Sequence, residues 1–177
     1  MEKLKKIEQL RKKLKNNKVS IGTWMQIPNS SVAEILGSLN LDWIIIDIEH
    51  GSFSLSQLPD IFRAIELGEK IPLVRIPSSD FTFANQVLDA GAMGLIIPNI
   101  KNKKEINNIT DNCLFPPFGK RGIGYSRANL FGKNFKKNLK DLSKPIIIAQ
   151  IESLEGFKNL EEILKNKFVD AVLIGPY

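Results

Sequence analysis

Histidine and cysteine are nearly missing from this chain: His50 and Cys113 are the only ones among 177 residues. A single cysteine excludes an internal disulfide and a cysteine-rich zinc site, and it suits a reducing cytoplasm. No apolar run approaches the ~20 residues needed to span a bilayer. The lysine-rich N-terminus is followed by no apolar segment, so it does not read as a secretory signal. A phosphate loop is also lacking. The first strand-to-helix turn is Gln26-Ile27-Pro28-Asn29-Ser30, and Gly119-Lys120-Arg121-Gly122-Ile123-Gly124 has the wrong spacing for one. That second stretch reads instead as a loop lining the mouth of a site, with Arg127 placed to bind an acidic substrate tail. No internal repeat is visible.

Net charge is absent from most of the chain as well. The formal charge is +6, from 25 basic and 19 acidic residues. Eight of the basic and two of the acidic residues fall within residues 1–18, which leaves 17 of each elsewhere. The body is therefore no general polyanion binder. The tail reads as an amphipathic helix with Leu4, Ile7, Leu10 and Leu14 on one side. It carries no aromatic residue to stack on a base or enter a membrane. The expected role is docking on the domain, with neither nucleic acid nor membrane as partner.

What is present is alternation. Strands are expected at 19–25, 42–47, 71–75, 92–98, 145–151 and 169–174. Helices are expected between them. One is capped by Ser30 and Ser31, with Val32, Ile35, Leu36 and Leu39 inward. Others span 56–66 (Leu58, Ile61, Phe62 and Ile65 inward), 80–90, 103–113 and 154–166. Residues 114–143 read as irregular, with a short helix near Phe131–Leu139. Near-continuous apolar strands alternating with helices mean a parallel sheet covered on its outer side. Polar residues recur where strands finish: His50, Arg75, Asn99 and Glu152. In a (β/α)₈ TIM barrel those ends share one mouth, where chemistry is built. Six strands are two short of closure. The expected organisation is a basic helix over 1–18, then an incomplete barrel over 19–177, truncated by about two βα units, or roughly 60–80 residues on typical barrel lengths.

Asp47-Ile48-Glu49-His50-Gly51 closes the apolar run Trp43–Ile46, and charge at a buried strand end is paired or used. An imidazole titrates near 6.5 when unperturbed, and an acidic partner raises it toward a working pH. Arg75 ends the third strand, and its planar donor fork suits carboxylate and enolate oxygens. Glu152 ends the fifth. Its carboxylate suits a hard cation, and equally a helix cap or a surface pair. No lysine stands at the C-terminal end of a predicted strand; Lys70, Lys144 and Lys167 precede strands and Lys101 lies beyond one. That disfavours a Schiff base.

Several pieces in order carry a resemblance: Gly22-Thr23-Trp24, Asp42 to His50, Pro72-Leu73-Val74-Arg75, Leu88-Asp89-Ala90-Gly91-Ala92, Pro116-Pro117-Phe118-Gly119-Lys120-Arg121-Gly122, Gln150-Ile151-Glu152 and Ile174-Gly175-Pro176-Tyr177. From Val19 to Tyr177 the chain resembles the HpcH/HpaI aldolase family, metal-dependent enzymes on a pyruvate/phosphoenolpyruvate-type (β/α)₈ barrel. The resemblance implies reversible cleavage of 4-hydroxy-2-oxo acids to pyruvate and an aldehyde, with a divalent cation (Mg, Mn or Co). It makes His50 the general base, Asp89 the acid that raises its basicity and Arg75 the stabiliser of developing charge. Gln150 and Tyr177 match substrate-binding positions, and Glu152 a metal ligand. A second ligand, an Asp just after the Gly-Pro-x turn, would fall at position 178. Asp47 or Glu49 would hold a metal-bound water. The resemblance also implies a homo-oligomer when full length. Two rivals stand beside this reading. One is an acyl-CoA lyase of the citramalyl- or malyl-CoA type, and the other a non-catalytic fragment.

Overall fold

The computed structural model describes residues 2–133, 135 and 144–176. Its strands are β1 Gly22–Met25, β2 Trp43–Asp47, β3 Ile71–Arg75, β4 Gly94–Ile97, β5 Ile146–Ile151 and β6 Ala171–Ile174. They form one six-stranded sheet in chain order. All five neighbouring pairs are parallel. The sheet curls as an incomplete barrel wall, which is the α/β barrel architecture expected from the alternation.

The helices are α1 Glu2–Lys15, α2 Ser30–Ser38, α3 Leu58–Leu67, α4 Phe81–Ala90, α5 Lys103–Cys113, α6 Leu154–Lys158 and α7 Leu160–Leu164. Single 3₁₀ segments cover Leu55–Gln57 and Arg127–Gly132. The second ends at Gly132, with Leu130 and Phe131 in the left-handed region (φ 53° and 54°), so no helix begins at Phe131, and most of the helix expected near Phe131–Leu139 lies outside the described residues.

Strand side chains alternate between faces. Ile44, Ile46, Val74, Leu95, Ile97, Ile147 and Ala149 point outward and are buried against helix residues that include Leu58, Ile61, Phe62 and Ile65 of α3. Each fully buried side chain of this size contributes roughly 1.5–3 kcal/mol. Ile45, Ile71, Leu73, Ile96 and Ile146 belong to a second cluster on the concave face, closed by Ile7 and Leu10 of α1.

The N-terminal helix thus docks, as its apolar stripe suggests. Arg11 donates to both oxygens of Asp170 (2.6 and 2.9 Å) and to the carbonyls of Lys144 and Pro145. Lys13 pairs with Asp42 at 2.6 Å. Asp42, Pro145 and Asp170 all precede strands, so α1 floors the arc at the N-terminal strand ends and leaves the other end open.

Three local expectations need correction. The cap of α2 is Asn29, whose side chain accepts from the Ser31 and Val32 amides; neither serine fills that role. Ile35 and Leu39 do not face inward: they are 62% and 46% exposed, while Ala33 and Gly37 are buried. The small residues let α2 lie close on α3, which turns the larger ones out. The helix expected over 154–166 is broken into α6 and α7 at Asn159, whose side chain donates to the Lys101 carbonyl (2.9 Å).

Candidate functional site

The register of β2 and β3 sets Asp47 opposite Arg75. Both are the last residues of their strands, and both share the inward parity of Ile45 and Leu73. Asp47 is 0% exposed. Its Oδ1 accepts from Arg75 Nε (2.9 Å) and from the His50 amide (3.2 Å). Its Oδ2 accepts from Arg75 Nη2 (2.7 Å) and from Gln26 Nε2 (2.8 Å). Burial alone would push this carboxyl up. The bonds from Arg75, Gln26 and the His50 amide outweigh burial and hold it below the usual carboxylate range.

Arg75 is gripped on a second side. Its guanidinium lies 4.6 Å from the centre of the Trp24 ring. Its Nε also stands 3.2 Å from Glu49 Oε2, a charge contact, while the hydrogen-bonding direction of that N–H goes to Asp47. Burial disfavours the guanidinium's charge, but Asp47, Glu49 and Glu152 raise its pKa above the ordinary arginine value. Nη1 has no protein acceptor among the described residues and remains available as a donor.

The turn after β2 brings His50 to the rim. The Gly51 amide donates to the Asp47 carbonyl (3.1 Å), and a Cβ at residue 51 would come within 2.2 Å of that oxygen. Only glycine fits so tight a return. His50 itself is exposed.

Across the mouth, Gln150 is only 4% exposed, and its Oε1 is buried with no partner among the described residues. Glu152 accepts from the Asn99 amide (3.3 Å), which Asn99 presents from a left-handed conformation (φ 52°). A Cβ on Gly175 would sit 2.9 Å from Glu152 Cγ and 3.2 Å from Gln150 Nε2, so the bare backbone there cradles both side chains. Glu49 joins the two halves. Burial raises its carboxyl pKa; Arg75 pulls it down, Glu152 raises it and His50 lowers it. Its Oε2 is buried without a hydrogen bond among the described residues.

The structure therefore gathers His50, Arg75, Gln150 and Glu152 at one strand-end mouth. It does not bring Asp89 there. Asp89 lies near the C-terminal end of α4, where it accepts from Arg121 Nη2 (2.6 Å) and from Ser126 Oγ (3.4 Å), and no bond to His50 is present among the described residues. Tyr177 lies outside the described residues. The 119–124 loop, expected at the mouth, is at the other end. Its Arg121 amide bonds the Leu114 carbonyl just past α5 (2.9 Å), because the helices run against the strands. Arg127, expected to bind a substrate tail, is engaged by Glu66 (2.8 Å) and the Ala90 carbonyl (3.3 Å). Cys113 is core: burial raises its thiol to about 12, while the Arg121 charge lowers it.

Sequence reading missed Gln26 and Trp24, and gave Asp47 and Glu49 too small a part. Inward parity along β1 could have found the first two, since Trp24 pairs with Ile45 in the register and Gln26 lies one inward step further.

Among the described residues no group of three or more His, Cys, Asp or Glu side chains converges as a metal cluster. Apart from the His50 imidazole, the donors at the mouth are oxygen: Glu152, Glu49 and the Gln150 amide oxygen, which has no partner among the described residues. That chemistry suits a hard dication whose remaining positions are filled by water or substrate oxygens.

Comparison with known proteins agrees with this fold. The model for the HpcH/HpaI aldolase/citrate lyase family matches residues 20–177. A hydroxypyruvate/pyruvate aldolase of Roseobacter denitrificans is 32% identical over 168 residues, covering 94% of this chain and 66% of its own length. A 5-keto-4-deoxy-D-glucarate aldolase of Escherichia coli is 32% identical over 162 residues, covering 89% and 62%. The chain thus spans slightly less than two thirds of these curated relatives. The crystal structure of a family protein from Burkholderia cenocepacia superposes with a TM-score of 0.87 at 28% identity, covering 95% of this chain and 68% of that one.

Proposed function

This chain belongs to the HpcH/HpaI aldolase/citrate lyase family, and from that premise we propose that it serves a class II aldolase, a carbon–carbon lyase. Its substrate is a 4-hydroxy-2-oxo acid, cleaved to pyruvate and an aldehyde in the cytoplasm. The names of two relatives, a hydroxypyruvate/pyruvate aldolase and a 5-keto-4-deoxy-D-glucarate aldolase, support this reading. One observation carries the reading: an arginine held by two bonds to a fully buried aspartate shares a mouth with an exposed imidazole and two carboxylates.

His50 takes the proton of the C4 hydroxyl. The C3–C4 bond breaks, C4 leaves as the aldehyde carbonyl, and the electron pair stays on the three-carbon enolate. Arg75 offers Nη1 to the enolate or carboxylate oxygens in a partly desolvated setting, where a fixed cation counts for more than in water. Gln150 donates or accepts at the 2-oxo acid head. The proton on His50 then returns to C3, giving pyruvate. Glu152, with Glu49 beside it, would hold a divalent cation, which as a Lewis acid supplies stabilisation of the enolate charge.

Asp89 supports an assembly of like chains. It lies on α4 and meets the long α5–β5 connection through Arg121 and Ser126, and that connection also carries exposed Ile123, Tyr125, Leu130 and Phe131. We infer that Asp89 reaches His50 of a second copy in a homo-oligomer.

The test is pyruvate release from free 4-hydroxy-2-oxo acids and from matched acyl-CoA thioesters, with Mg²⁺, Mn²⁺ or Co²⁺ added. Free acids should be cleaved, chelator should stop the reaction, and His50→Ala and Glu152→Ala should each cut the rate at least about 100-fold. Full activity of Glu152→Ala after chelation would defeat the metal assignment, and cleavage of thioesters alone would transfer the chain to the acyl-CoA lyases.

A further inference from the structure

We propose that Gln26 is a positioning residue, which fixes the Arg75 guanidinium and the His50 turn through Asp47; this rests on the aldolase reading for its catalytic meaning and on geometry for the rest.

The argument starts from what Asp47 must satisfy. A carboxylate with no exposure needs donors on both oxygens or it does not stay ionised at low cost. It has four: Arg75 Nε and the His50 amide on Oδ1, Arg75 Nη2 and Gln26 Nε2 on Oδ2. Arg75 fills one place on each oxygen. The other place on Oδ1 belongs to the backbone of the His50 turn, and the other place on Oδ2 belongs to Gln26. Asp47 is thus a hub from which an arginine, a histidine-bearing turn and a glutamine just past a different strand are set relative to each other. Of its three side-chain and backbone partners, Gln26 is the one neither charged nor part of the β2–β3 unit.

The glutamine does this from an exposed position at the end of β1. An exposed amide reaching a fully buried anion is an unusual use of a surface side chain, because water could solvate the amide equally well. The bond repays that loss only because the acceptor is charged and dry. The same strand also presents Trp24, two residues earlier on the same face, with its ring against the guanidinium at 4.6 Å. β1 therefore holds Arg75 at two points. Trp24 limits tilt of the guanidinium plane, and Gln26 limits rotation of the carboxylate to which that plane is bonded.

The chemistry makes the constraint useful. Arg75 has Nη1 left for substrate, and the value of a preorganised donor falls quickly when it is free to reorient. A carboxylate with one loose oxygen lets the fork rock about the remaining bonds.

Two variants separate a donor from a mere space filler. Gln26→Leu keeps the volume and removes the donor. Gln26→Glu is isosteric and replaces the donor with a charge that repels Asp47. Hydrogen exchange of the Arg75 Nε–H, followed by nitrogen-15 NMR on the full chain, reads the clamp without any turnover. Exchange should quicken about ten-fold in Gln26→Leu and further in Gln26→Glu. Steady-state pyruvate release should show kcat falling about ten-fold in Gln26→Leu with KM nearly fixed. Wild-type exchange rates in both variants would overturn the proposal, as would an isosteric Gln26→Glu that matches wild type in kcat. A wild-type chain that cleaves no 4-hydroxy-2-oxo acid would remove the aldolase reading and leave the exchange measurement to decide the clamp alone. Gln26→Asn shortens the amide and covers the case in which the glutamate variant fails to fold: it too should exchange faster than wild type, and an unchanged rate counts against the clamp.

Discussion

Asp47–Arg75 and Asp89–Arg121 are the same chemical pair turned inside out. At the strand-end mouth the carboxylate is fully buried, and the arginine side chain keeps 12% of its surface exposed. At the helix ends the arginine side chain is 2% exposed, and the carboxylate keeps 40%. Asp47 is saturated by four donors, whereas buried Arg121 keeps an Nε with no hydrogen-bond partner among the described residues; in both pairs the outer member is offered to something else. The mouth offers a cation. The α4 surface offers an anion. Burial depresses the pKa of Arg121, and only Asp89 and, more weakly, Cys113 push back. Burial raises Asp47, and its donors more than reverse it. The lesson is that an ion pair in this chain works as a mount, and the exposed half shows which charge the surface needs.

The largest effect should come from stranding the deeper ion. Arg75→Met leaves Asp47 buried with two weaker donors, and breaking a buried pair in this way costs about 3 kcal/mol. Urea unfolding at pH 7 measures it. The loss should shrink in acid. Asp47 has a lowered carboxyl pKa, so its contribution is complete above its unfolded value near 4 and disappears as pH falls through the lower folded value. A loss that persists undiminished at pH 3 would mean that packing, and not charge, holds the mouth.

Asp89→Asn is the matching test at the other pair, and its cost should be smaller, about 1–2 kcal/mol, because the carboxylate it removes is already partly solvated. The guanidinium left behind still stacks 4.5 Å from the centre of the Phe115 ring, which softens the penalty. Equal losses for Arg75→Met and Asp89→Asn would break the inside-out picture. A larger loss for Asp89→Asn would reverse it.

How far the sequence foretold these two pairs differs in an instructive way. β2 and β3 are continuous apolar runs ending in a charge, so both Asp47 and Arg75 could be placed at strand ends from local pattern alone. Their pairing then follows from register. Asp89–Arg121 spans 32 residues and a long irregular connection, and no local periodicity brings those positions together. The same holds for Arg127 with Glu66: its role was set by a distant helix, so expecting it at the mouth failed. α2 failed for another reason. It is apolar on more than one side, and Ala33 and Gly37, not the bulky residues, decide which side packs. Gln26 was passed over because it stands just past the apolar run of β1; parity from Trp24 points it inward, but its meaning lies in the carboxylate it meets across the sheet.

The smallest predicted effect tests the seam of the comparison, a carboxylate at the mouth that neither pair neutralises. Glu49 lies near Arg75, but the guanidinium directs its hydrogen bonds to Asp47, and burial with Glu152 nearby raises the Glu49 carboxyl. An acid whose folded pKa is raised binds its proton more tightly when folded. Its ionisation therefore costs stability as pH climbs from the unfolded value to the folded one, and that cost stands in full above it. Glu49→Gln removes the charge and keeps the shape. At pH 7 the variant should be more stable by a small amount, on the order of 0.5 kcal/mol, and the advantage should vanish below about pH 4, where the native carboxyl is already protonated in both states. If the variant is instead less stable at pH 7, the Arg75 charge is shared between Asp47 and Glu49. The mouth would then be a three-member network with no free half, unlike the α4 pair to which it was compared. Adding Mg²⁺ or Mn²⁺ sharpens the outcome: a cation bound by Glu152 and Glu49 should stabilise the parent chain and leave Glu49→Gln with a reduced shift in midpoint.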